Sequence, residues 1–244
     1  MANPTYQSGF YAPGRGTAKH PELWRGCVGA WNPGLGNTGL VLRDWSGNQN
    51  NGVLTNGPTW ESSQGKYAIN FDGVNDYVDI PNTINYIFGV KNFSISVWIK
   101  ALEAAKGKIR TIVAKEYNPT GWWIQTDTSG EVIFGMGGNI TVRGTDDVFN
   151  DQWHQVTLVR TGLGTNQCQL YIDGRFNAQG TDNTNDTTTT APRIGSFPGL
   201  GGREWKGQIT DTRIYNRALS PNEIRTLAQR PGIAYERAPR KFYS

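Results

Sequence analysis

Tyr67-Ala-Ile-Asn-Phe-Asp-Gly-Val-Asn-Asp-Tyr-Val-Asp-Ile-Pro81, followed after a linker by Phe93-Ser-Ile-Ser-Val-Trp-Ile-Lys100, is the stretch that decides the fold. In its second half Phe93, Ile95, Val97 and Ile99 point one way and Ser94, Ser96, Trp98 and Lys100 the other. Such period-two alternation of β-branched and aromatic residues marks a strand with one buried face. The first half predicts two short strands, Tyr67–Phe71 and Tyr77–Ile80. Asp72-Gly73 between them supplies the positive φ that a tight reversal needs. None of the three strands is long enough to hide its own apolar face, so a second sheet is required.

Working outward, strands are predicted near 110–116, 121–126, 131–135, 139–143, 153–160, 167–173 and 209–215, with Asp173-Gly174 as a further hairpin signal. Residues 181–190 are polar and Thr-rich and predict a loop without packing content. One helix is announced by Ser220-Pro-Asn-Glu223, a capping box with Pro at the first helical position. Ile224, Leu227 and Ala228 form its short apolar face, and Pro231-Gly232 ends it. The chain has 244 residues with 31 Gly, 12 Pro and 11% aromatic residues, the composition of one all-β domain rich in turns. The expected architecture is a two-sheet antiparallel sandwich with one short C-terminal helix and extended N- and C-terminal arms. The domain spans residues 26–229, and the arms are 1–25 and 230–244.

The amino-terminal residues form no apolar leader, and no run reaches the ~20 apolar residues of a membrane-spanning helix. Cys27 and Cys168 stand in no metal spacing and read as buried thiols, so synthesis in a cytoplasm is expected. The net charge is +4, and its excess lies on the arms. Arg15, Lys19 and Arg25 stand against Glu22 at one end, and Arg230, Arg237, Arg240 and Lys241 against Glu236 at the other. These charges are few for nucleic-acid binding and have no stacking motif beside them. They suit docking, in which aromatic residues bury themselves on a partner while arginines pair with its carboxylates. The candidate docking residues are Tyr6, Phe10, Tyr11, Trp24, Arg230, Tyr235, Arg237, Arg240, Phe242 and Tyr243.

Residues 28–228 resemble a LamG-like jelly roll of the concanavalin A-like lectin/glucanase group. The resemblance is carried in order by Asp44-Trp-Ser-Gly-Asn48, Phe71-Asp-Gly-Val-Asn-Asp-Tyr-Val78, Phe93–Lys100, Trp153-His-Gln-Val156, Leu170-Tyr-Ile-Asp-Gly174 and the segment 207–224. The flanks His20-Pro-Glu-Leu-Trp-Arg-Gly-Cys-Val-Gly-Ala-Trp31 and Pro231-Gly-Ile-Ala-Tyr-Glu-Arg-Ala-Pro-Arg240 resemble those of such proteins encoded by tailed phages and prophages.

Jelly-roll glucanases carry a Glu-x-Asp-x-Glu strand, whose carboxylates flank the glycosidic bond. This chain has no such triplet. Asp72, Asp76 and Asp79 read as turn carboxylates, and His154 as structural, so no catalytic residue is assigned. Relatives often hold calcium beside the Asp-x-Ser-Gly turn. Here Asp44 is present, but Thr210 stands where an acid is needed and Asp211 alternates to the other face, so no metal or cofactor is expected. Trp122, Trp123, Phe197 and Trp205 are candidate sugar-stacking rings. The leading functional expectation from the resemblance and the arms is a non-enzymatic virion surface protein, a capsid decoration or cement protein. Its arms would dock on the major capsid protein or another virion protein, with self-association on the particle. The alternative is a carbohydrate-binding adhesion module of a tail fibre or cell surface, whose partner is a glycan.

Overall fold

The computed structural model describes residues 18–63, 66–81, 84–116 and 120–238. Of the candidate docking residues, Tyr6, Phe10, Tyr11, Arg240, Phe242 and Tyr243 therefore lie outside the described residues.

Among the described residues sixteen strands follow in chain order. The first eight are β1 (Cys27–Trp31), β2 (Val41–Leu42), β3 (Gly52–Thr55), β4 (Thr59–Ser63), β5 (Lys66–Asp72), β6 (Tyr77–Asp79), β7 (Phe93–Ala101) and β8 (Arg110–Ala114). The rest are β9 (Trp122–Thr126), β10 (Glu131–Met136), β11 (Asn139–Asp147), β12 (Trp153–Arg160), β13 (Gly164–Ile172), β14 (Arg175–Asp182), β15 (Arg193–Ile194) and β16 (Lys206–Tyr215). They form two eight-stranded antiparallel sheets, ordered β14-β13-β12-β7-β16-β5-β4 and β11-β10-β9-β8-β15-β6-β3-β2. β1 completes the first sheet by pairing with the far half of β16, from Thr212 to Tyr215. The two-sheet sandwich expected from the alternation, with the jelly roll that the resemblance implies, is the fold observed.

The core between the sheets is built as the pattern of β7 requires. Phe93, Ile95, Val97 and Ile99 face inward and are fully buried, meeting Trp122, Ile124 and Phe134 from the opposite sheet. Phe88 stacks on Phe93 with centroids 4.4 Å apart. The other face of β7 departs from expectation, because Ser94, Ser96 and Trp98 are buried too. A second apolar layer covers them, made by helix α1 (Pro221–Leu227) and by segments from both chain ends. The Ser94 hydroxyl donates to Arg217 O at 2.9 Å and accepts from Leu219 N at 3.0 Å. Trp98 Nε1 donates to Leu227 O at 3.2 Å. Ser94 and Trp98 are thus satisfied by the layer above, while Ser96 Oγ accepts from Gln155 Nε2 on the neighbouring strand at 2.8 Å. The helix begins with the expected capping box between Ser220 and Glu223, but stops at Leu227, before Pro231.

Three expectations are corrected. The reversal at Asp72–Asp76 is tight, and Gly73 has φ 79°. The strands it joins do not pair, however, since β5 lies between β4 and β16 while β6 lies between β3 and β15. The turn is a corner that carries the chain from one sheet to the other. By contrast Asp173-Gly174 is a true hairpin turn between β13 and β14, with φ 52° and 75° at the two positions.

The Thr-rich loop has packing content after all, and it is polar. Asp186 exchanges backbone hydrogen bonds with Gly89 at 2.9 and 3.1 Å, and its carboxylate accepts from Phe88 N at 2.9 Å and from Lys115 Nζ at 3.5 Å. Both Asp186 and Lys115 are fully buried. Asp182, at the start of the loop, pairs with buried Arg160 at 2.8 Å.

The inner halves of the arms belong to the domain. Residues Pro21–Trp24 and Ile233–Tyr235 form single 3-10 turns, Ala18 bridges to Arg237, and Lys19 N donates to Glu236 O at 2.8 Å. Trp24, expected to dock on a partner, is buried and donates from Nε1 to Ala234 O at 2.9 Å. Its ring meets Tyr235 edge-on at 5.0 Å. The cause lies beneath them. The Arg213 guanidinium is buried and sits 4.7 Å from the Trp24 ring and 4.5 Å from the Tyr235 ring. Trp24→Ala should therefore cost about 3 kcal/mol of folding stability, measured by urea unfolding. An unchanged midpoint would mean that the segment is merely appended.

Candidate functional site

The rings proposed to stack on sugars are not available for it. Trp122 and Trp205 lie in the core between the sheets, and Trp205 stacks on Phe149 at 6.2 Å. Trp123 and Phe197 pack with Ala114 and Ile133 on the outer face of the second sheet. Both faces of β9 are covered, so neither of its adjacent tryptophans reaches solvent.

Other sequence candidates resolve into structural roles. The Asp44 carboxylate accepts four hydrogen bonds, from Ala30 N, Ser46 N, Ser46 Oγ and Asn50 N, at 2.8–3.0 Å. Asp211 sits at a break in register of β16 with φ 44°. Its oxygens accept from Arg213 Nε at 3.0 Å and Gly232 N at 2.8 Å. Among the described residues no group of three or more His, Cys, Asp or Glu is placed to hold a metal ion. Asp79 pairs with Arg193 at 2.9 Å, Asp72 caps Val74 N at 2.7 Å, and burial raises the Asp76 carboxyl above its ordinary value. The thiols of Cys27 and Cys168 are unpaired, buried and pushed by that burial up to about 12.

What the fold does assemble is a cleft of about 640 Å³ on the outer side of the first sheet. Its floor is the cross-strand pair Lys100 and Trp153, at the end of β7 and the start of β12. One wall is the turn after β1, where Asn32 Oδ1 accepts from Gly34 N at 2.9 Å. A second wall is the strap Arg230–Glu236, anchored where Gly232, at φ 79°, gives its N–H to Asp211. Glu236 is ion-paired with Lys19 at 3.1 Å and with Arg230. The arginine and the lysine hold its carboxyl below the usual glutamate range.

The turn 150–152 closes the remaining side. Asp151 has φ 59°, and its Oδ1 accepts from Glu103 N at 3.2 Å. His154 pins this turn, with Nδ1 2.8 Å from Asp173 Oδ2 and Nε2 3.1 Å from Asn150 Oδ1. Burial pushes the Asp173 carboxyl up, but the His154 ring and the Gln155 amide outweigh it, leaving it below its ordinary value.

The structure therefore brings Arg230 to the cleft, puts Trp24 and Tyr235 in the packing behind it, and leaves Arg237 at the bridge to Ala18. Lys100, Trp153, Asn32 and Gln152 are cleft residues that the sequence did not single out as a site. The alternation of Phe93–Lys100 does put Lys100 on the outward face. Its meeting with Trp153 depends on a strand register that no local pattern encodes.

A sequence model described as "Concanavalin A-like lectin/glucanases superfamily" (Laminin_G_3) matches residues 72–225, well over half of the chain. No curated protein matches the chain in sequence. Among solved structures, the binding domain of Paraclostridial Mosquitocidal Protein 1 superposes with a TM-score of 0.70 at 18% identity. That match covers 84% of this chain and 52% of the other. Trypanosoma rangeli sialidase gives 0.64 at 20% identity, with 84% and 32% covered. The chain thus spans about half of the first and a third of the second. Domain 4 of AbnA, a GH43 extracellular arabinanase from Geobacillus stearothermophilus, in complex with arabinotriose, gives 0.62 at 19% identity, with 83% and 98% covered. At these identities the likeness is one of fold.

The charge on Glu236 sets a pH dependence. A carboxyl held low by its partners stabilises the fold fully above its ordinary value of 4.5, and the contribution disappears as pH falls below that. Because the group is exposed, Glu236→Gln should lower the melting temperature at neutral pH by only about 2 °C or less. The gap should close in acid. Melting curves across pH test this, and a gap that persists in acid would assign Glu236 a role other than its charge.

Proposed function

The chain belongs to the concanavalin A-like lectin/glucanases superfamily, and from that premise we propose that it is a non-catalytic carbohydrate-binding module whose ligand lies in the Lys100–Trp153 cleft. The observation that carries this reading is the cleft itself. It offers a half-buried indole beside the exposed amide of Gln152, with the buried Asn32 in its wall, in a volume suited to a small ligand. An aromatic face receives the C–H surface of a sugar, while a planar amide exchanges hydrogen bonds with its hydroxyls. A strand presents the indole and a hydrogen-bonded turn the amide, so little ordering is needed on binding. The AbnA domain, matched over almost its whole length, is itself a structure with arabinotriose.

Catalysis is disfavoured by the electrostatics. Glycoside hydrolysis needs a carboxylic acid held protonated beside an ionised partner. The cleft carboxyl Glu236 is shifted the opposite way, and Asp151 is engaged with the Glu103 amide. The capsid-decoration reading loses its inner anchors, because Trp24 and Tyr235 bury each other over Arg213 and Arg230 pairs with Glu236. Adhesion, on a tail fibre or a cell surface, fits these commitments better than cementing a capsid.

Calorimetry against a panel of plant and bacterial oligosaccharides tests the proposal. Trp153→Ala should weaken binding about tenfold or more, as loss of an aromatic contact implies, and leave the melting temperature nearly unchanged. No reducing sugar should be released during incubation. If no oligosaccharide binds, or if the variant binds as well as the parent, the proposal falls.

A further inference from the structure

We propose that the cleft selects an acidic glycan, one bearing a carboxylate or a sulfate ester, and that Lys100 is the residue that recognises the charge. This rests on the glycan reading of the cleft and adds the ligand class to it. Glu236 is held by both Arg230 and Lys19, so the strap offers Lys100 no free carboxylate. Asp151 directs an oxygen to the Glu103 amide. Elsewhere the buried cations all have acceptors: Lys115 on Tyr86 O and Asp186, Arg160 on Asp182, Arg110 on Gly73 O and Glu204 O, and Arg213 on Asp211. Lys100 differs. It is half-buried in the cleft floor, yet among the described residues its ammonium has neither an ion pair nor a side-chain hydrogen bond.

The position is also rigid. Lys100 lies on the central strand β7, paired with Trp153 on one side and Gln208 on the other. Directly opposed residues share a sheet face about 5 Å apart. A sugar ring resting on Trp153 therefore carries its substituents within reach of the four-carbon stem of Lys100. A neutral sugar offers that ammonium only uncharged hydroxyl oxygens, whereas a carboxylate or sulfate accepts a stronger, charge-assisted hydrogen bond. A lysine suits both anions, since it acts as a point charge and imposes no bidentate geometry.

The test compares three probes of equal length by calorimetry: an oligogalacturonate, a sulfated galacto-oligosaccharide and a neutral galacto-oligosaccharide. The expected result is that at least one acidic probe binds about tenfold tighter than the neutral one, the size of one charge-assisted contact. Lys100→Met should abolish the preference and Lys100→Arg should retain it. Should the Met variant fold poorly, the salt dependence of the unmodified protein reads the same charge, with acidic binding weakening in salt and neutral binding holding. Equal affinity for neutral and acidic probes, or a preference that survives Lys100→Met, overturns this inference and leaves the glycan reading standing. Binding of none of the three, together with failure of the wider panel, removes both.

Discussion

A buried guanidinium is the constraint from which much of this molecule follows. Arg213 projects from the central strand β16 into an apolar layer where a lone cation would be costly. Burial alone would lower its pKa, but Asp211 two residues away outweighs that and raises it. The pair needs an irregular backbone, and Asp211 takes a left-handed conformation to make it. The guanidinium plane lies against the rings of Trp24 and Tyr235. Burial also raises the hydroxyls of Tyr215 and Tyr235, so Asp211 remains the counter-charge. Its second oxygen holds Gly232 and thereby fixes the strap that walls the cleft. One ion pair thus links the packing of both chain ends to the geometry of the candidate site.

The same layer explains why the middle of the first sheet is buried on both faces. A two-sheet sandwich leaves each sheet one wet face, but here α1 and the end segments roof over β7 and β16. The cleft lies where that roof gives way, beyond Trp98, at Lys100. Its position is set by where the covering layer stops rather than by a loop inserted for the purpose.

Local chemistry was legible in the sequence. The Phe93–Lys100 strand with its inward apolar face, the Asp173-Gly174 turn and the Ser220–Glu223 cap each depend on residues close in the chain, and each forms where expected, although the outer face of that strand is buried as well. The corner at Asp72–Asp76 shows the limit. A turn residue announces a reversal but not which sheet the next strand joins, because pairing is decided by distant partners. Asp186 and Arg213 were missed for a related reason. Charged residues in loops and strands are mostly solvated, and nothing nearby marks these two as buried. Trp24 and Tyr235 look like free aromatic residues among glycines and prolines until Arg213, far away in sequence, is placed beneath them. The cleft was illegible in the same way, since Lys100 and Trp153 meet only through the register of β7 with β12.

The antiparallel bridge between Ala18 and Arg237 has an architectural consequence. The two ends of the folded domain leave it side by side, close to the wall of the cleft. A domain with neighbouring ends can be spliced into a surface loop of another protein, since the host must span only a short gap. It can also be cut elsewhere and rejoined at its natural ends as a circular permutant. Mounted in either way it is held at two points instead of one, which restrains its rotation. The cleft would then keep a defined bearing relative to whatever carries it.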